Sequence, residues 1–423
     1  MNKTEQLNET QNAFLQWRKT SFAERQQLIK NLSEILLDRK EDWATIITKE
    51  MNKPISQAIA EIEKSAGMCR YYAEIPNVLA TETTELGKIL YQPLGIILGI
   101  MPWNFPFWQA LRFAVPTLLA GNGVVMKHAS ICMQSGDAIQ QIFEEAGFPK
   151  GIFNHLKINH QEVEELIANP LVQGVSLTGS ELAGRKIAEI AGRNLKKSVL
   201  ELGGSDAFIV LDDADLQQAA RDAALARLQN CGQTCVAGKR FIIHSKIYDE
   251  FLKLFVAEYQ SYTAGNPMDK ATKLGGMARK DLADELQNQY EKALENGAEI
   301  IVPLVRTGDI TFQQGLILMN ENNPILQEEL FGPLGMILVA KDDDDALKMA
   351  NETPFGLANA VYTQNDERAM FFAENLESGG VAINQVFRSD AQMPFSGVKN
   401  SGFGTELSQY ALFEFVVRKS VMM

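Results

Sequence analysis

The sequence has little of several features that would define a class of protein by themselves. Its 423 residues include only four cysteines, which are too few for a disulfide scaffold and lack the paired C-x-x-C spacing of a zinc site. We therefore expect neither a metal site nor a structural disulfide. Lys and Arg number 40 against 53 Asp and Glu, so the net charge is -13, and no long basic block occurs. This balance argues against binding to nucleic acid or to an anionic membrane.

Long apolar runs are also missing. The most apolar stretch, 94–126, is interrupted by prolines, asparagines, a glutamine and an arginine, so it is not expected to span a membrane. The first residues, MNKTEQLNETQN, are polar and lack the apolar segment of a signal peptide. We expect a cytoplasmic protein in which stretch 94–126 is core.

The apolar patterns that are present predict an α/β fold. Over residues 5–80 apolar side chains recur at helical spacing, which predicts two or three amphipathic helices. Beyond them, β-rich segments alternate with helical ones, and GVSLTGSELAGRKIAEIAG predicts a strand, a loop and a helix. This alternation is typical of a parallel sheet wrapped by helices. The tail LFEFVVRKSVMM predicts a terminal strand whose edge must be paired or covered.

One glycine-containing loop could hold a phosphate. TGSELAGRK places Gly179 and Gly184 between a predicted strand and a predicted helix, which suits a phosphate at the helix N-terminus or a plain turn. A Walker A loop needs Lys followed by Ser or Thr, but Arg185 and Lys186 stand there. Arg185 and Lys186 therefore argue against a phosphate-loop NTPase, which a measurement of ATP turnover would test. The dinucleotide motif G-x-G-x-x-G is absent as well.

Two further stretches carry candidate chemistry. Glu201 lies in the apolar run VLELGGSDAFIVL, where a buried carboxylate needs a partner or a task. Desolvation would raise its pKa and make it a general base; alternatively, it caps neighbouring backbone N–H groups. In QNCGQTCVAGKR, Gly232 and Gly238 let the backbone turn, so that Cys235 is either a partly exposed thiol or an inert buried one.

The stretch IMPWNFPFWQALRF adds an amide and a cation. Asn104 stands just before Pro106, a favoured first helical residue, and is either an N-cap or a donor to an oxyanion. Trp108 and Arg112 are four residues apart and share one face of that helix. An arginine beside so much apolar sequence needs an anion, which is either a protein carboxylate or a substrate.

Six motifs together resemble one family. PWNFP, LTGS, LELGG, GQTC, EELFGP and PFSGVKNSGFG stand in the order and approximate spacing of the aldehyde dehydrogenase superfamily, from residue 95 to the end. In finer detail the chain is similar to bacterial NAD(P)-dependent succinate-semialdehyde dehydrogenases. The resemblance implies a Rossmann-type cofactor-binding domain (1–76 and 94–203), an α/β catalytic domain (204–400) and a small oligomerisation strand element (77–93 and 401–423). A homodimer or homotetramer is then expected.

The resemblance also assigns catalytic residues. Cys235 would be the nucleophile, whereas Cys231 does not match the motif. Asn104 and the backbone N–H of Cys235 would hold an oxyanion, and Glu201 would activate the water that hydrolyses a thioester. The same carry-over gives the cofactor-binding residues as Trp103, Lys127, Ser130, Gly179, Ser180, Glu329 and Phe331.

Cofactor and substrate preferences follow from single positions. The resemblance implies NADP or NAD as the cofactor. NADP is expected to be preferred because Ser130 stands where many NAD-selective members of the family have a glutamate, which would repel a 2'-phosphate, and because Lys127 and His128 could donate to that phosphate. The substrate is expected to be a short aldehyde with a terminal carboxylate, best succinate semialdehyde, with these substrate-binding residues: Trp108, Arg112, Arg388 and Ser389. The alternatives are small uncharged aldehydes, or a catalytically silent structural homologue.

Overall fold

The computed structural model describes residues 2–423, which form thirteen α-helices and twenty strands. The helices are α1 (Lys3–Trp17), α2 (Phe22–Asp38), α3 (Lys40–Met51), α4 (Ile55–Glu74), α5 (Pro106–Leu119), α6 (Met133–Glu145), α7 (His160–Ala168), α8 (Glu181–Arg193), α9 (Leu216–Leu228), α10 (Tyr248–Gln260), α11 (Lys280–Glu295), α12 (Asp343–Asn351) and α13 (Asp366–Asn375). The strands are β1 (Glu82–Thr84), β2 (Gly87–Pro93), β3 (Ile96–Met101), β4 (Gly123–His128), β5 (Phe153–His155), β6 (Val172–Thr178), β7 (Lys197–Glu201), β8 (Ala207–Val210), β9 (Arg240–His244), β10 (Glu299–Val302), β11 (Val305–Arg306), β12 (Phe312–Gln313), β13 (Gly315–Leu318), β14 (Leu334–Ala340), β15 (Phe355–Gly356), β16 (Ala358–Tyr362), β17 (Gly380–Ile383), β18 (Val398–Lys399), β19 (Gly402–Phe403) and β20 (Val416–Met422).

The N-terminal region contains four helices, α1 to α4, so the expectation of two or three was too low. Local signals divide the helical pattern. Ser21 and Glu24 form a capping box that begins α2. Asn52, with a left-handed φ of 61°, ends α3, and Pro54 stands directly before α4. Hydrophobic spacing alone does not show these breaks, because the apolar faces of successive helices follow one another closely.

The first large sheet has six strands in the order β19-β7-β6-β3-β4-β5. Its strands β3 to β7 are parallel, and β19 joins β7 antiparallel. Side chains alternate between its two faces: Ile97 and Val124 belong to the core shared with α2 to α6, whereas Ile96 and Val125 pack with α7 and α8. The sheet is therefore covered by helices on both faces.

The second large sheet has seven strands in the order β10-β13-β14-β9-β8-β16-β17. All of its pairings are parallel except that of β10 with β13. Its central strands are mostly apolar, and each residue of β8, β9 and β16 is buried. Runs buried on both faces are what a parallel sheet between helices requires.

A third, three-stranded sheet has the order β1-β2-β20. The predicted terminal strand is present as β20, and it pairs antiparallel with β2 along its whole length, from Val416 opposite Pro93 to Met422 opposite Gly87. The range 401–423 also contains β19, which lies in the six-stranded sheet. The domain boundaries given above stay a prediction. Within residues 2–423, none of the helices is long and apolar enough to cross a membrane.

Candidate active site

One wall of the candidate site is the carboxyl edge of the six-stranded sheet. Asn104 follows β3, Lys127 lies near the end of β4 and Ser130 after it, Ser180 follows β6, and Glu201 ends β7. These strands are parallel, so their carboxyl ends meet at one edge, where open α/β sheets bind their ligands. The topology thus brings together side chains that are up to about a hundred residues apart in the chain.

The other wall is the amino edge of the seven-stranded sheet. Gly204 precedes β8, Cys235 and Lys239 precede β9, and Glu329 precedes β14. The Lys239 ammonium donates to the Cys235 carbonyl (2.5 Å) and to Glu329 Oε1 (2.9 Å), and the Gly204 N–H donates to the same Oε1 (3.1 Å). Only five residues, 202–206, connect the carboxyl end of β7 to the amino end of β8. The carboxyl edge of the first sheet therefore faces the amino edge of the second.

The two cysteines of the GQTC region have different surroundings. Cys235 is partly exposed, and burial raises the pKa of its thiol to about 11, although the Arg112 and Lys239 cations oppose the rise. Cys231 is 1% exposed and lies in the core of the seven-stranded sheet, where burial raises the pKa of its thiol to about 12. Only Cys235 is therefore accessible to a substrate.

Asn104 does not cap helix α5, so the N-cap interpretation is wrong. Phe105 occupies the N-cap position, and its side chain makes no hydrogen bond to the helix. Instead, Asn104 Nδ2 donates to the Gln233 carbonyl at 3.1 Å, two residues before Cys235. A side-chain amide nitrogen has two N–H groups. The second N–H of Asn104 Nδ2 is available for an oxyanion formed next to Cys235 Sγ.

A buried ion pair that the sequence did not reveal caps α5. Glu61 Oε1 accepts from the N–H groups of Phe107 (2.9 Å) and Trp108 (3.1 Å), and its carboxylate pairs with Lys53. Lys53 also donates to the Asn104 carbonyl at 2.7 Å. The pair fixes the loop that carries Asn104. Lys53 lies before helix α4, Glu61 lies on α4, and the capped N–H groups belong to α5, so no local motif marks them.

Glu201 is buried without a hydrogen-bond partner. It is 2% exposed, and within residues 2–423 neither carboxylate oxygen accepts a hydrogen bond, so the capping interpretation is wrong. Burial, with the nearby Glu406 carboxylate, raises the pKa of Glu201 well above its ordinary value, while Arg112 opposes the rise. A carboxyl group of this kind can take a proton from water near neutral pH once it has ionised.

The anion beside Arg112 is a protein carboxylate. The Arg112 guanidinium pairs with Glu406 and lies over the Phe395 ring, 4.7 Å from its centroid. Trp108 is 4% exposed and Ser389 is 8% exposed, whereas Arg388 is on the surface. The structure thus places Arg112 next to Glu201 and Cys235, but with its charge already compensated.

The expected cofactor residues lie around the same edge. Lys127 is 8% exposed, burial lowers its pKa, and it forms no ion pair in the part of the chain that the structure describes. Ser130 is exposed just beyond it. Gly179 and Ser180 precede helix α8, whose exposed N-terminus suits a phosphate.

The remaining cofactor residues form the opposite side. The rings of Trp103 and Phe331 meet edge to face with centroids 5.7 Å apart. Gly203 approaches the Glu329 carboxylate so closely that a Cβ atom would collide with it. His128, expected as a phosphate donor, is engaged elsewhere: its Nε2 lies 3.0 Å from the Pro106 carbonyl, and its Nδ1 accepts from the Ala129 N–H. Burial also lowers its pKa to about 3, so the His128 expectation was wrong.

These residues fit a nicotinamide dinucleotide. A buried lysine without an ion-pair partner, an exposed helix N-terminus and an anchored carboxylate match an adenosine ribose, a pyrophosphate and a second ribose, respectively. The same donor set does not suit a metal ion. In the described range, 2–423, no group of three or more His, Cys, Asp or Glu side chains could hold one.

The fold and this site define a class of dinucleotide-dependent enzymes that carry an accessible cysteine between two parallel sheets. The model of the Aldehyde dehydrogenase family matches residues 3–421. The chain belongs to the aldehyde dehydrogenase family, which confirms the predicted fold class.

Individual relatives agree with the family match. The chain is 44% identical over 410 residues to the Escherichia coli K12 protein succinate semialdehyde dehydrogenase (NAD(P)+) Sad, covering 95% of this chain and 89% of that protein. It is 40% identical over 417 residues to the Deinococcus radiodurans succinate-semialdehyde dehydrogenase (NADP(+)), covering 97% and 87%. The crystal structure of the Streptococcus pyogenes succinic semialdehyde dehydrogenase in complex with NADP+ superposes with a TM-score of 0.96 at 35% identity, over 99% of this chain and 95% of that one.

Proposed function

We propose that this protein oxidises a short carboxylated aldehyde, best succinate semialdehyde to succinate, with NADP or NAD. The observation that carries the proposal is the convergence of Cys235, Asn104 and Glu201 at the junction of the two sheets. The Escherichia coli and Deinococcus radiodurans relatives, which bear the name of this activity, support the substrate.

Cys235 begins the reaction by attacking the aldehyde carbon. The thiol first gives its proton to water, and the Arg112 and Lys239 cations favour the thiolate that remains. Sulfur–carbon bond formation moves an electron pair onto the carbonyl oxygen, which accepts hydrogen bonds from Asn104 Nδ2 and the Cys235 N–H. One such donor is worth about 3 kcal/mol in related oxyanion sites.

The second half of the reaction is hydrolysis. Bound NAD(P)+ supplies the acceptor for the hydride that leaves the tetrahedral carbon. The acyl group then stays on Cys235 as a thioester. Glu201, in its ionised form, takes a proton from a water molecule that attacks the acyl carbon; the carbon–sulfur bond breaks, the Cys235 thiolate returns, and the carboxylic acid leaves.

NADP is the preferred cofactor in this proposal. Lys127 lacks an ion pair within residues 2–423 and Ser130 is uncharged, so a 2'-phosphate would gain a cation and meet no carboxylate from that residue. NAD can bind at the same edge because its ribose hydroxyls need only hydrogen-bond partners.

Initial rates with matched aldehydes test the proposal. Succinate semialdehyde and butanal, which have the same chain length, would each be measured with NADP and with NAD. We expect the highest kcat/KM for succinate semialdehyde with NADP. A wild-type preference for butanal would refute the carboxylated substrate, and absence of reduced cofactor with every aldehyde would refute the activity.

We further propose a homodimer or homotetramer built through β20. This strand is the outer strand of its sheet, its second edge has no neighbour in residues 2–423, and its side chains are mostly exposed. A free strand edge pairs readily with another subunit. A strictly monomeric mass at micromolar concentration would contradict this. Location in the cytoplasm rests on the sequence alone and stays a prediction.

A further inference from the structure

Asn230 joins the loop that carries Asn104 to the loop that carries Cys235. Its side chain is 1% exposed, and its Nδ2 donates to two carbonyls, that of Asn104 at 2.8 Å and that of Gln233 at 3.2 Å. Asn104 Nδ2 donates to the same Gln233 carbonyl at 3.1 Å. Two side-chain amides from different loops therefore share one acceptor, two residues before Cys235.

The backbone at Asn230 has an uncommon conformation. Asn230 (φ 53°), Cys231 (φ 56°) and Gly232 (φ 73°) are three successive residues in the left-handed region. Glycine adopts this region freely and asparagine more readily than most residues, whereas cysteine does so with strain. Strained backbone of this kind persists only where the surrounding structure holds it, and it is found often at active sites.

Specific contacts hold the turn 230–232. The Asn230 N–H donates to Gln57 Oε1 on α4 at 2.8 Å, and Gln233 Nε2 donates to the Asn230 carbonyl at 3.0 Å. Gln233 Oε1 in turn accepts from the Ala278 N–H at 2.9 Å. These contacts fix the backbone from which the Asn230 amide projects.

The Asn104 carbonyl accepts hydrogen bonds from both Asn230 and Lys53. Lys53 also balances the buried charge of Glu61, so its contact with Asn104 cannot be separated from the stability of that ion pair. Asn230 is neutral, and its Oδ1 accepts no hydrogen bond within residues 2–423. The hydrogen bonds of its side chain in that range therefore all run between the two loops.

We propose that Asn230 is a positioning residue, which holds the Asn104 peptide so that the second N–H of Asn104 Nδ2 faces the oxygen of an aldehyde attached to Cys235. The inference rests on the proposed function and adds to it the residue that sets the place of the oxyanion donor. Because Asn230 is buried, it does not contact the substrate and acts through Asn104.

Asn230→Gly tests the assignment, because glycine keeps the left-handed backbone and removes only the amide. The measured quantity is the rate of the first burst of reduced cofactor after rapid mixing with succinate semialdehyde and NADP. This step forms the oxyanion but does not require hydrolysis. We expect N230G to lower the burst rate about tenfold or more, since a donor displaced by about 1 Å can reduce a rate up to a hundredfold.

Asn52→Gly is the matched control. Asn52 is also a left-handed asparagine, with φ 61°, and its amide donates to the Met277 carbonyl at 3.3 Å rather than to the Asn104 loop. The same substitution there removes an amide without touching the proposed contact. The burst rate of N52G should therefore stay within about twofold of wild type.

A double-mutant cycle shows whether Asn230 acts through Asn104. Asn104→Ala removes the donor but keeps the backbone carbonyl, and it should lower the burst rate about a hundredfold or more. Asn230→Gly should then lower the rate of Asn104→Ala by less than about threefold, because the group that it positions is gone. Full multiplication of the two effects would overturn the proposal, since it would show that Asn230 acts independently of Asn104.

The ester p-nitrophenyl acetate provides a readout without any cofactor. Attack by Cys235 Sγ on the ester carbon forms an oxyanion at the same place, which collapses with loss of p-nitrophenolate and leaves an acetyl group on the sulfur. Asn230→Gly should slow this release by about the same factor as the burst. The Kd for NADP, followed by tryptophan fluorescence, should remain within about twofold of wild type.

The inference and the proposed function can fail separately. Absence of reduced cofactor from wild type with every aldehyde would refute the proposed function. A wild-type burst that N230G matches, both with aldehyde and with the ester, would refute the Asn230 assignment and leave the function standing. An equal fall in N230G and N52G would also overturn the assignment, because it would show a general structural effect of losing a left-handed asparagine.

Discussion

The two walls of the site differ in how their polar groups are satisfied. On the amino edge of the seven-stranded sheet, Lys239 joins the Cys235 backbone to Glu329, and Gly204 holds the same carboxylate. On the carboxyl edge of the six-stranded sheet, Glu201 and Lys127 have no such partners within residues 2–423. A buried polar group without a hydrogen-bond partner destabilises the folded protein, and a bound ligand can supply the missing partner. Such groups are therefore candidates for ligand binding or catalysis.

The comparison separates two tasks. The amino edge holds the Cys235 backbone and Glu329 through Lys239 and the Gly204 N–H, and these contacts are in place before any ligand arrives. The carboxyl edge keeps groups whose charge or proton is still available. Substitutions on the two edges should therefore fail in different ways, and the expected effects decrease from Cys235 to Glu201 to Ser130.

Cys235→Ala should have the largest effect. Removing the sulfur removes the covalent intermediate, so turnover should fall by at least about a thousandfold. The matched control is Cys231→Ala, four residues away on the same loop. Because Cys231 is a core side chain, this variant should keep activity within about threefold while losing around 1 kcal/mol of unfolding free energy. Steady-state rates and urea unfolding measure both quantities. Turnover retained in Cys235→Ala and lost in Cys231→Ala would reverse the assignment.

Glu201→Gln should stop the second half of the reaction. Thiol attack does not need this carboxylate, so a burst of reduced cofactor should appear, followed by a steady rate lowered by about a hundredfold or more. Rapid mixing with absorbance at the reduced-nicotinamide band measures the burst, and mass spectrometry detects the acyl group on Cys235. Normal steady turnover would refute the role.

The pH dependence of deacylation sharpens the same test. Burial and Glu406 raise the pKa of Glu201, so the carboxylate form that accepts a proton from water grows only as pH rises above the ordinary range of a glutamate. Single-turnover deacylation in wild type should therefore accelerate with pH, and in Glu201→Gln this acceleration should be lost. A wild-type rate that is flat from pH 5 to 9 would show that Glu201 titrates normally or does not act.

Local sequence patterns were sufficient for some of this picture. The alternation of β-rich and helical segments predicted a helix-covered parallel sheet, and the run ending at Glu201 predicted a buried carboxylate. Both are properties of neighbouring residues, because burial on a parallel strand leaves a continuous apolar run. The breaks among α1 to α4 were missed because caps are weaker signals than hydrophobic spacing.

Contacts between distant segments could not be obtained in this way. Arg112 needed an anion, but nothing in the sequence identified Glu406, and nothing connected Asn104 with Asn230, which lies 126 residues further along. The same is true of Glu61, whose capping of α5 took away the N-cap role expected of Asn104. Such pairs depend on how the helices pack against the sheets, and the amino-acid sequence alone does not show that packing.

Ser130→Glu should have the smallest and most selective effect. Ser130 is exposed beyond the end of β4, near Lys127, so a carboxylate there would face the 2'-phosphate of NADP and also neutralise part of the Lys127 charge. Repulsion between charges about 4 Å apart near a protein surface amounts to one or a few kcal/mol, so kcat/KM for NADP should fall roughly tenfold. The value for NAD should change much less, because NAD has no charge at that position. Ser130→Gln is the matched control, with similar bulk and no charge, and should lower NADP use less than Ser130→Glu does. If Ser130→Glu weakens both cofactors alike, Ser130 does not face the 2'-position, and the preference for NADP must come from Lys127 alone or from another part of the carboxyl edge.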